Sequence, residues 1–544
     1  MKKTATALTA LALMGTLALS ACGQATPPAD TGTSTDTGAP ATSDTTTANA
    51  AASTITVGTT DKIITIDPAG SYDHGSLMIE AEVYQFLLNF APGGNTPTPD
   101  AAQSCDFTQP TVYTCQMRPG LKFANGHDLT SSDVKFSFDR ISTINDPNGP
   151  VSLLGNLASV DTPDPLTVNF NLKQANDQTF PQVLATAAGP IVDEEVMSAT
   201  ALTPDEDIVA ANAFSGPYTI TSYNKNDTLS LAPYAGYNGN LPPSANGGLI
   251  VKTFTDATNL RLSVSNGDID VAYRSLTPTD IETLQTDSNV KVWQAQGGEI
   301  RYITFNLNIM PGDTDAQKFA IRQAIASSVD RDALSTNVYK GQYTPLCSYV
   351  PAGFVGANTA VCDTYPLDKD AAAKYLSDAG VKTPVALNIQ YNPDHYGSSS
   401  DQEYGLIKQQ LESTGLFTVK LDSAEWGTYS KERTQDIYSI FQMGWFPDFP
   451  DADNYLTPFF GPDSFLANHF QGQDIFDMLT KEIGETDPTA RAQQLGDIQT
   501  TMAQKYLSTL PLLQGSQWAV ARTNVTGVTL AVSDMLLFVT LAKS

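Results

Sequence analysis

The sequence predicts a folded body of interspersed β-strands and α-helices, carried on an exported and tethered N-terminus. Three observations lead there. Apolar residues alternate in short runs such as Thr54-Ile55-Thr56-Val57-Gly58, the pattern of a strand. Elsewhere they recur at helical spacing, as in Ile321, Ile325 and Val329. The 544 residues, 41% hydrophobic and 16% charged, suffice for a large core divided over roughly three domains.

Composition removes several function classes. The formal charge is −28, from 58 acidic and 30 basic residues. No basic surplus is available to neutralise phosphates, so nucleic acid is not a partner. Four histidines are present, none at ligand spacing with another histidine or with a cysteine. A site built from imidazoles is not expected, and neither a metal nor a cofactor is predicted.

Met1-Lys2-Lys3 is a basic start, and residues 4–19 form an apolar segment too short to span a membrane comfortably. It ends in Leu19-Ser20-Ala21-Cys22-Gly23, which looks like a bacterial lipobox. Residues 1–21 are then a lipoprotein signal peptide and Cys22 the lipidated mature N-terminus, the alternative being an ordinary secretory signal with an incidental cysteine. Removing Lys2 and Lys3 leaves 28 − 58 = −30. Residues 22–53, rich in Thr, Ala, Gly, Pro, Ser and Asp without aromatics, cannot bury enough apolar surface to offset ordering. They read as a disordered tether with a reach on the order of 30 Å.

The body opens with the strand at residues 54–58. After a loop at 70–75, residues 77–90 carry a helical pattern through Leu77, Val83, Tyr84, Leu87 and Leu88, ended by Ala91-Pro92-Gly93-Gly94. Cys105 and Cys115 flank a short hairpin around Gln109-Pro110, and Cys347 and Cys362 form a second close pair. In an exported protein such pairs read as disulfides, the alternative being free thiols. Each ring would contribute roughly 3 kcal/mol by loop entropy. This pairing leaves Cys22 for the lipid. Thr130-Ser131-Ser132-Asp133 fits a capping box opening a helix with Val134, Phe138 and Ile141 on one face. A later helix is expected over 317–329, and another over 371–379, capped by Asp370 and closed by Gly380.

One stretch stands out chemically. Residues 444–455, GWFPDFPDADNY, set carboxylates among aromatic rings and two prolines. Proline fixes φ and removes a donor, so a stiff loop is expected. A carboxylate beside aromatic faces suits a cationic or zwitterionic organic ligand. The plainer alternative is a surface loop over core aromatics. Asp451 and Asp453 lack the glycine and terminal glutamate of an EF-hand loop, so calcium is not expected.

Residues 117–140, MRPGLKFANGHDLTSSDVKFSFDR, resemble the LRPGVKF-x-x-G-x-x-x-T-x-x-DV-x-x-S-x-x-R signature of the family 5 extracellular solute-binding proteins. These are the dipeptide-, oligopeptide- and nickel-binding components of ABC importers. Further segments resemble that family in order: Ser215-Gly216-Pro217-Tyr218, then Pro233-Tyr234-Ala235-Gly236-Tyr237, then Phe305-Asn306, then the helix running into Asp330-Arg331. The resemblance implies an α/β, two-lobed periplasmic-binding-protein fold of class II type, with an extra subdomain inserted in the first lobe. The first lobe would hold residues 54–75, 209–300 and 513–544, the inserted subdomain 76–208, and the second lobe 301–512. Strand crossings would lie near 301–306 and 512–518.

In peptide-binding members a W-x-x-D loop supplies the aspartate that receives the α-ammonium. Trp445 and Asp448 stand at those places, and Trp426 at the position of a tryptophan 19 residues upstream. Phe446 lies between them. Arg433 aligns with a position that pairs peptide carboxylates in some oligopeptide binders. The next arginine of that pattern is Gln442 here, which leaves peptide length open. Tyr72, Asp73, Tyr302 and His395 are further candidates by loop position. The resemblance implies a lipid-anchored monomer, on the outer side of a membrane or in the periplasm, that passes short peptides to an ABC permease with separate ATPase subunits. No Walker A motif occurs in this chain. The alternatives are the same role for an oligosaccharide or a metal chelate, and an exported hydrolase. No G-x-S-x-G elbow, HExxH helix or Cys/His nucleophile arrangement supports the hydrolase. A distant carboxylate pair for glycoside hydrolysis stays open at this stage.

Overall fold

The computed structural model describes residues 53–544 except 275, 398, 463 and 532–534. The signal segment, the Cys22 lipobox and all of the tether but Ser53 therefore lie outside the described residues. An eleven-stranded sheet runs through the body. Its strands are β1 (Ile55–Thr59), β2 (Tyr218–Asn224), β3 (Thr228–Pro233), β4 (Leu249–Thr253), β5 (Val271–Tyr273), β6 (Val290–Phe305), β7 (Tyr343–Pro345), β8 (Val385–Tyr391), β9 (Phe417–Ser423), β10 (Ile440–Trp445) and β11 (Thr509–Arg522). The spatial order is β9-β8-β10-β6-β11-β5-β1-β4-β3-β2, with β7 also on β11.

The two long strands connect the lobes. Antiparallel β6 and β11 pair from Val290↔Arg522 to Thr304↔Thr509. At one end β5 joins β11, with Val271 opposite Ala521; at the other β10 joins β6, with Ile300 opposite Trp445. The register breaks between Gln296 and Ile300, at Gly297-Gly298. A Cβ on Gly298 would lie 2.4 Å from Pro447 Cγ, so only glycine lets the 446–452 loop approach the crossing this closely. Beside the break, Glu299 receives Arg301 Nη2 at 2.5 Å and the Tyr343 hydroxyl at 2.7 Å, and Gln514 Nε2 donates to Gly297 O at 2.9 Å. These polar partners brace the crossing strands at the break.

Apolar packing separates along the same lines. One core joins Ile300, Ile325, Ile389, Phe459 and Leu513; a second joins Val57, Leu229, Val271 and Ala521 across the first-lobe sheet. A third gathers Leu87, Phe138, Phe170 and Phe180 around a separate four-stranded antiparallel sheet. There the Cys105–Cys115 disulfide links paired strands with Cα atoms 4.1 Å apart, and Cys347–Cys362 is also bonded. The helix Ser131–Ile144 begins with the Thr130/Asp133 capping box and buries Val134, Phe138 and Ile141. From it, buried Arg140 donates Nη1 to Asp67 Oδ1 at 2.5 Å and Nη2 to Asp67 Oδ2 at 2.9 Å.

Four local expectations need correction. The helix over 77–90 is His74–Val83, started by Asp73, whose carboxylate accepts from Ser76 N; Leu88–Phe90 is a strand paired with Pro97–Pro99. Residues 83–88 are all buried, Gln85 included, and a run buried on every side carries no period to separate helix from strand. The helix over 317–329 is Asp315–Ala326, and Val329 is buried beyond its end. Asp368, not Asp370, caps the helix Lys369–Asp378, accepting from Asp370 N and Ala371 N. The stiff loop over 444–455 is shorter at both ends: Trp445 closes β10 and Asp453 opens the helix Asp453–Phe460.

Removing one member of a buried ion pair leaves an uncompensated charge. Arg140→Ala is therefore expected to lower stability by about 3–5 kcal/mol, read as a drop in the urea midpoint. An unchanged midpoint would mean that this pair does not hold the helix Ser131–Ile144 to residue 67.

Candidate functional site

A cavity of about 1200 Å³ lies between the lobes. That exceeds the range of roughly 300–1,000 Å³ usual for small-molecule pockets. Tyr72, Asp73, His74 and Phe180 line one side; His395, Trp426, Trp445, Phe446 and Asp448 line the other.

The 446–452 loop organises the site. The Pro447 ring lies against Gly298, and Tyr455 from the following helix donates its hydroxyl to Gly298 O at 2.7 Å. Asn454 is the hub of the loop. Its Oδ1 accepts from Asp448 N at 2.9 Å and from Trp445 Nε1 at 3.0 Å, and its Nδ2 donates to Asp448 Oδ2 at 2.8 Å. One asparagine thus fixes the indole and the carboxylate relative to each other. The Tyr72 hydroxyl donates to Asp448 Oδ1 from the opposite lobe.

Asp448 is half-buried, and as a lining residue it faces the cavity. Burial pushes its pKa above the usual carboxylate range, and the bonds from Asn454 and Tyr72 hold it back. Both of these donors are neutral. Burial and the Asp448 charge raise the Tyr72 phenol well above its ordinary value, so it stays protonated and donates.

Around this carboxylate stands an aromatic wall. His395 stacks on Trp426 with centroids 3.9 Å apart and planes at 10°. Burial, then the charges of Arg301 and Arg274, depress the His395 pKa to about 4, so the imidazole is neutral at pH 7. Arg274 reaches from the end of β5 across the cleft, its Cζ 5.1 Å from the Phe446 ring centroid. It also lies 3.4 Å from Asp61. Burial alone would raise the Asp61 pKa, but Arg274 and His74 outweigh it and hold it well below the carboxylate range.

Further bonds join the lobes beside the cavity. Gln178 N donates to Ile483 O at 2.9 Å, and Gln182 Nε2 donates to Asp451 Oδ2 at 3.1 Å. Asp451 is held from its own side by Arg491, at 2.8 and 2.9 Å, so the calcium alternative meets a carboxylate already engaged by a guanidinium. Between Asp448 and Asp451, Phe449 is 4% exposed and belongs to the apolar core of Phe138, Phe170 and Phe180. The loop presents a carboxylate to the cavity and inserts the next side chain into the facing core.

Of the residues singled out in sequence, Tyr72, Asp73, His395, Trp426, Trp445, Phe446 and Asp448 line the cavity. Asp73 is partly engaged as a helix cap. Tyr302 and Arg433 are not brought to it. Tyr302 is 2% exposed and packs on Phe459 in the second-lobe core. Arg433 is buried beneath the wall, donating Nη1 to Phe465 O at 2.8 Å. Gln442 is likewise buried, accepting from Asn392 N and donating to Ser400 Oγ. Sequence reasoning missed Asn454, Phe449, Phe465 and Arg274. The first two stood inside the quoted stretch, where Asn454 six residues after a carboxylate was a usable signal. Arg274 left none, because its side chain meets Phe446 only through the fold.

A sheet crossing between two lobes, a separate antiparallel subdomain and a cavity between the lobes with one organising carboxylate are the architecture of a two-lobed binding-protein fold. The model of the family described as "Bacterial extracellular solute-binding proteins, family 5 Middle" matches residues 96–466, and the chain belongs to that family. Among curated relatives, a probable D,D-dipeptide-binding periplasmic protein of Escherichia coli K12 is 25% identical over 443 residues, 79% of this chain and 82% of its own length. Heme-binding protein A of Haemophilus influenzae is 25% identical over 442 residues, 76% of this chain and 78% of its own. Among solved structures, the dipeptide binding protein from Pseudoalteromonas sp. SM9913 in complex with Met-Leu has a TM-score of 0.74 at 19% identity, covering 90% of this chain and 100% of that one.

Truncating a buried phenylalanine typically costs about 3–5 kcal/mol. Phe449→Ala removes that packing from the closed arrangement, so small-angle scattering should report a larger radius of gyration than for the parent protein. Identical scattering curves would show that the Phe449 contact does not hold the lobes together.

Proposed function

We propose that this protein captures short peptides between its lobes and delivers them to a membrane permease for import, powered by separate ATPase subunits. The observation that carries the reading is Asp448, a half-buried carboxylate facing the cavity whose hydrogen bonds come from two neutral donors. A desolvated carboxylate of this kind gains most from a charged donor, and a peptide's α-ammonium is one. Two relatives' names support the solute class in part: one is termed dipeptide-binding and another is described with Met-Leu. Closure follows from the same contacts, because ligand held by Asp448 meets both lobes only when Tyr72 and Asp448 approach.

The reading includes the finer organisation. Residues 54–75, 209–300 and 513–544 form the first lobe, 76–208 its inserted subdomain and 301–512 the second lobe. Cys22 carries the lipid, and residues 22–53 tether a monomeric receptor to the outer face of a membrane, outside the cytoplasm. The large cavity leaves room for side chains and bridging water, so main chain and terminus supply most of the affinity.

Native mass spectrometry of the purified protein beside denaturing extraction tests the solute class. A ladder of bound masses corresponding to short peptides is expected; a single discrete non-peptide mass would replace the reading. Asp448→Ala should weaken a bound peptide by about two to three orders of magnitude, because a buried charge loses its partner. An unchanged dissociation constant by calorimetry would remove Asp448 from the site.

The raised pKa of Asp448 sets a pH dependence. An ammonium lowers that pKa in the complex, so binding should be full above the ligand-free value. As pH falls below it, proton and ammonium compete, and affinity should drop up to tenfold per pH unit. In Asp448→Asn this part of the profile should be flat; a profile unchanged by that substitution would assign the pH dependence to other groups.

A further inference from the structure

We infer that the ligand's first residue carries a bulky apolar side chain, aromatic by preference, seated on a shelf formed by Trp445 and Phe465. The inference rests on the reading of Asp448 as the ammonium receptor and adds what lies beside it.

The shelf adjoins the carboxylate through a rigid link. Trp445 Nε1 and Asp448 N both donate to Asn454 Oδ1, so the indole and the carboxylate are held by one side chain. Phe465 continues the wall, its ring centroid 5.4 Å from that of Trp445. Among the described residues, several large apolar side chains are exposed, and Phe465, at 37%, is the one that lines the cavity. An aromatic ring left uncovered inside a cleft is unsatisfied apolar surface awaiting a ligand group.

Both rings are fixed before any ligand arrives. Trp445 meets Phe459 edge-on, with planes at 86°, and is pinned by its indole N–H. Phe465 is backed by Arg433, whose Cζ sits 4.3 Å from the ring centroid while Nη1 donates to Phe465 O. Pro458 adds to the cavity wall, and its carbonyl accepts from Phe465 N at 2.8 Å. Arg433 thus acts as a positioning residue under the shelf, and its guanidinium is engaged there. Preorganised aromatic surface costs little ordering on binding.

Because Trp445 and Asp448 share Asn454 and Phe465 adjoins Trp445, an α-ammonium at Asp448 brings the side chain of the first residue to this wall, while later residues extend into the rest of the cavity. Burial and ring contact make an aromatic side chain there worth roughly 10- to 100-fold in affinity over alanine.

Calorimetry with Phe-Ala-Ala, Ala-Ala-Phe and Ala-Ala-Ala on the full-length protein tests this. Phe-Ala-Ala is expected to bind about 10- to 100-fold tighter than the other two. Phe465→Ala should abolish most of that gap, and Phe465→Leu should retain part of it. Equal affinities, a preference for Ala-Ala-Phe, or a gap that survives Phe465→Ala would overturn the shelf. If Phe465→Ala does not fold, the three peptides on the parent protein still decide. Should none of them bind, or should N-acetyl-Ala-Ala-Ala bind as tightly as the free tripeptide, the peptide reading fails and the shelf with it.

Discussion

The structure turns on a carboxylate partly withdrawn from bulk water at the junction of two lobes. Asp448 could sit more comfortably in solvent. It is held in the cleft by the Asn454 side chain, by Pro447 packed on Gly298 and by Tyr72 from across the gap. The cost of desolvation is met only in part by neutral donors, which is why its proton is held more tightly than usual. The bond from Tyr72 spans the two lobes, so the electrostatics of Asp448 and the lobe geometry are not independent properties of this molecule.

The loop that presents Asp448 is unusually well secured for a surface connection. Arg491 grips Asp451 with two nitrogens, and Asp451 in turn receives Gln182 of the opposite side. Its start is fixed by the sheet, since Trp445 ends β10 opposite Ile300 of the crossing strand β6. One strand pairing and one glycine contact thus separate the crossing from the carboxylate, with no long segment between.

Much of this was legible in sequence because it is local. Alternation marked β1, the capping box marked the helix Ser131–Ile144, and cysteine spacing marked both disulfides. The aromatic and acidic run over 444–455 drew attention to the loop because prolines, rings and acids in that density are uncommon in a plain turn. What escaped notice depended on partners far away in the chain. Residues 83–88 are buried throughout, so their pattern could not announce where a helix stops. Arg433 and Tyr302 had the composition of site residues, yet both face the second-lobe interior, where a guanidinium satisfies carbonyls behind Phe465 and a phenol packs on Phe459. Whether a side chain faces a cavity or a core is decided by strand register for Tyr302 and by the docking of a helix end for Arg433, neither of which one sequence states.

Phe449 gives the closed arrangement a thermal character. Its ring is part of the inserted subdomain's apolar core although its backbone belongs to the loop of the other lobe. Separating the lobes then hydrates apolar surface on both sides, as a partial unfolding would. Such hydration carries a positive heat capacity, and its driving force near room temperature is entropic. For the lobe-closing receptor proposed above, the balance between separated and joined lobes then shifts toward the joined form with warmth and away from it with cold.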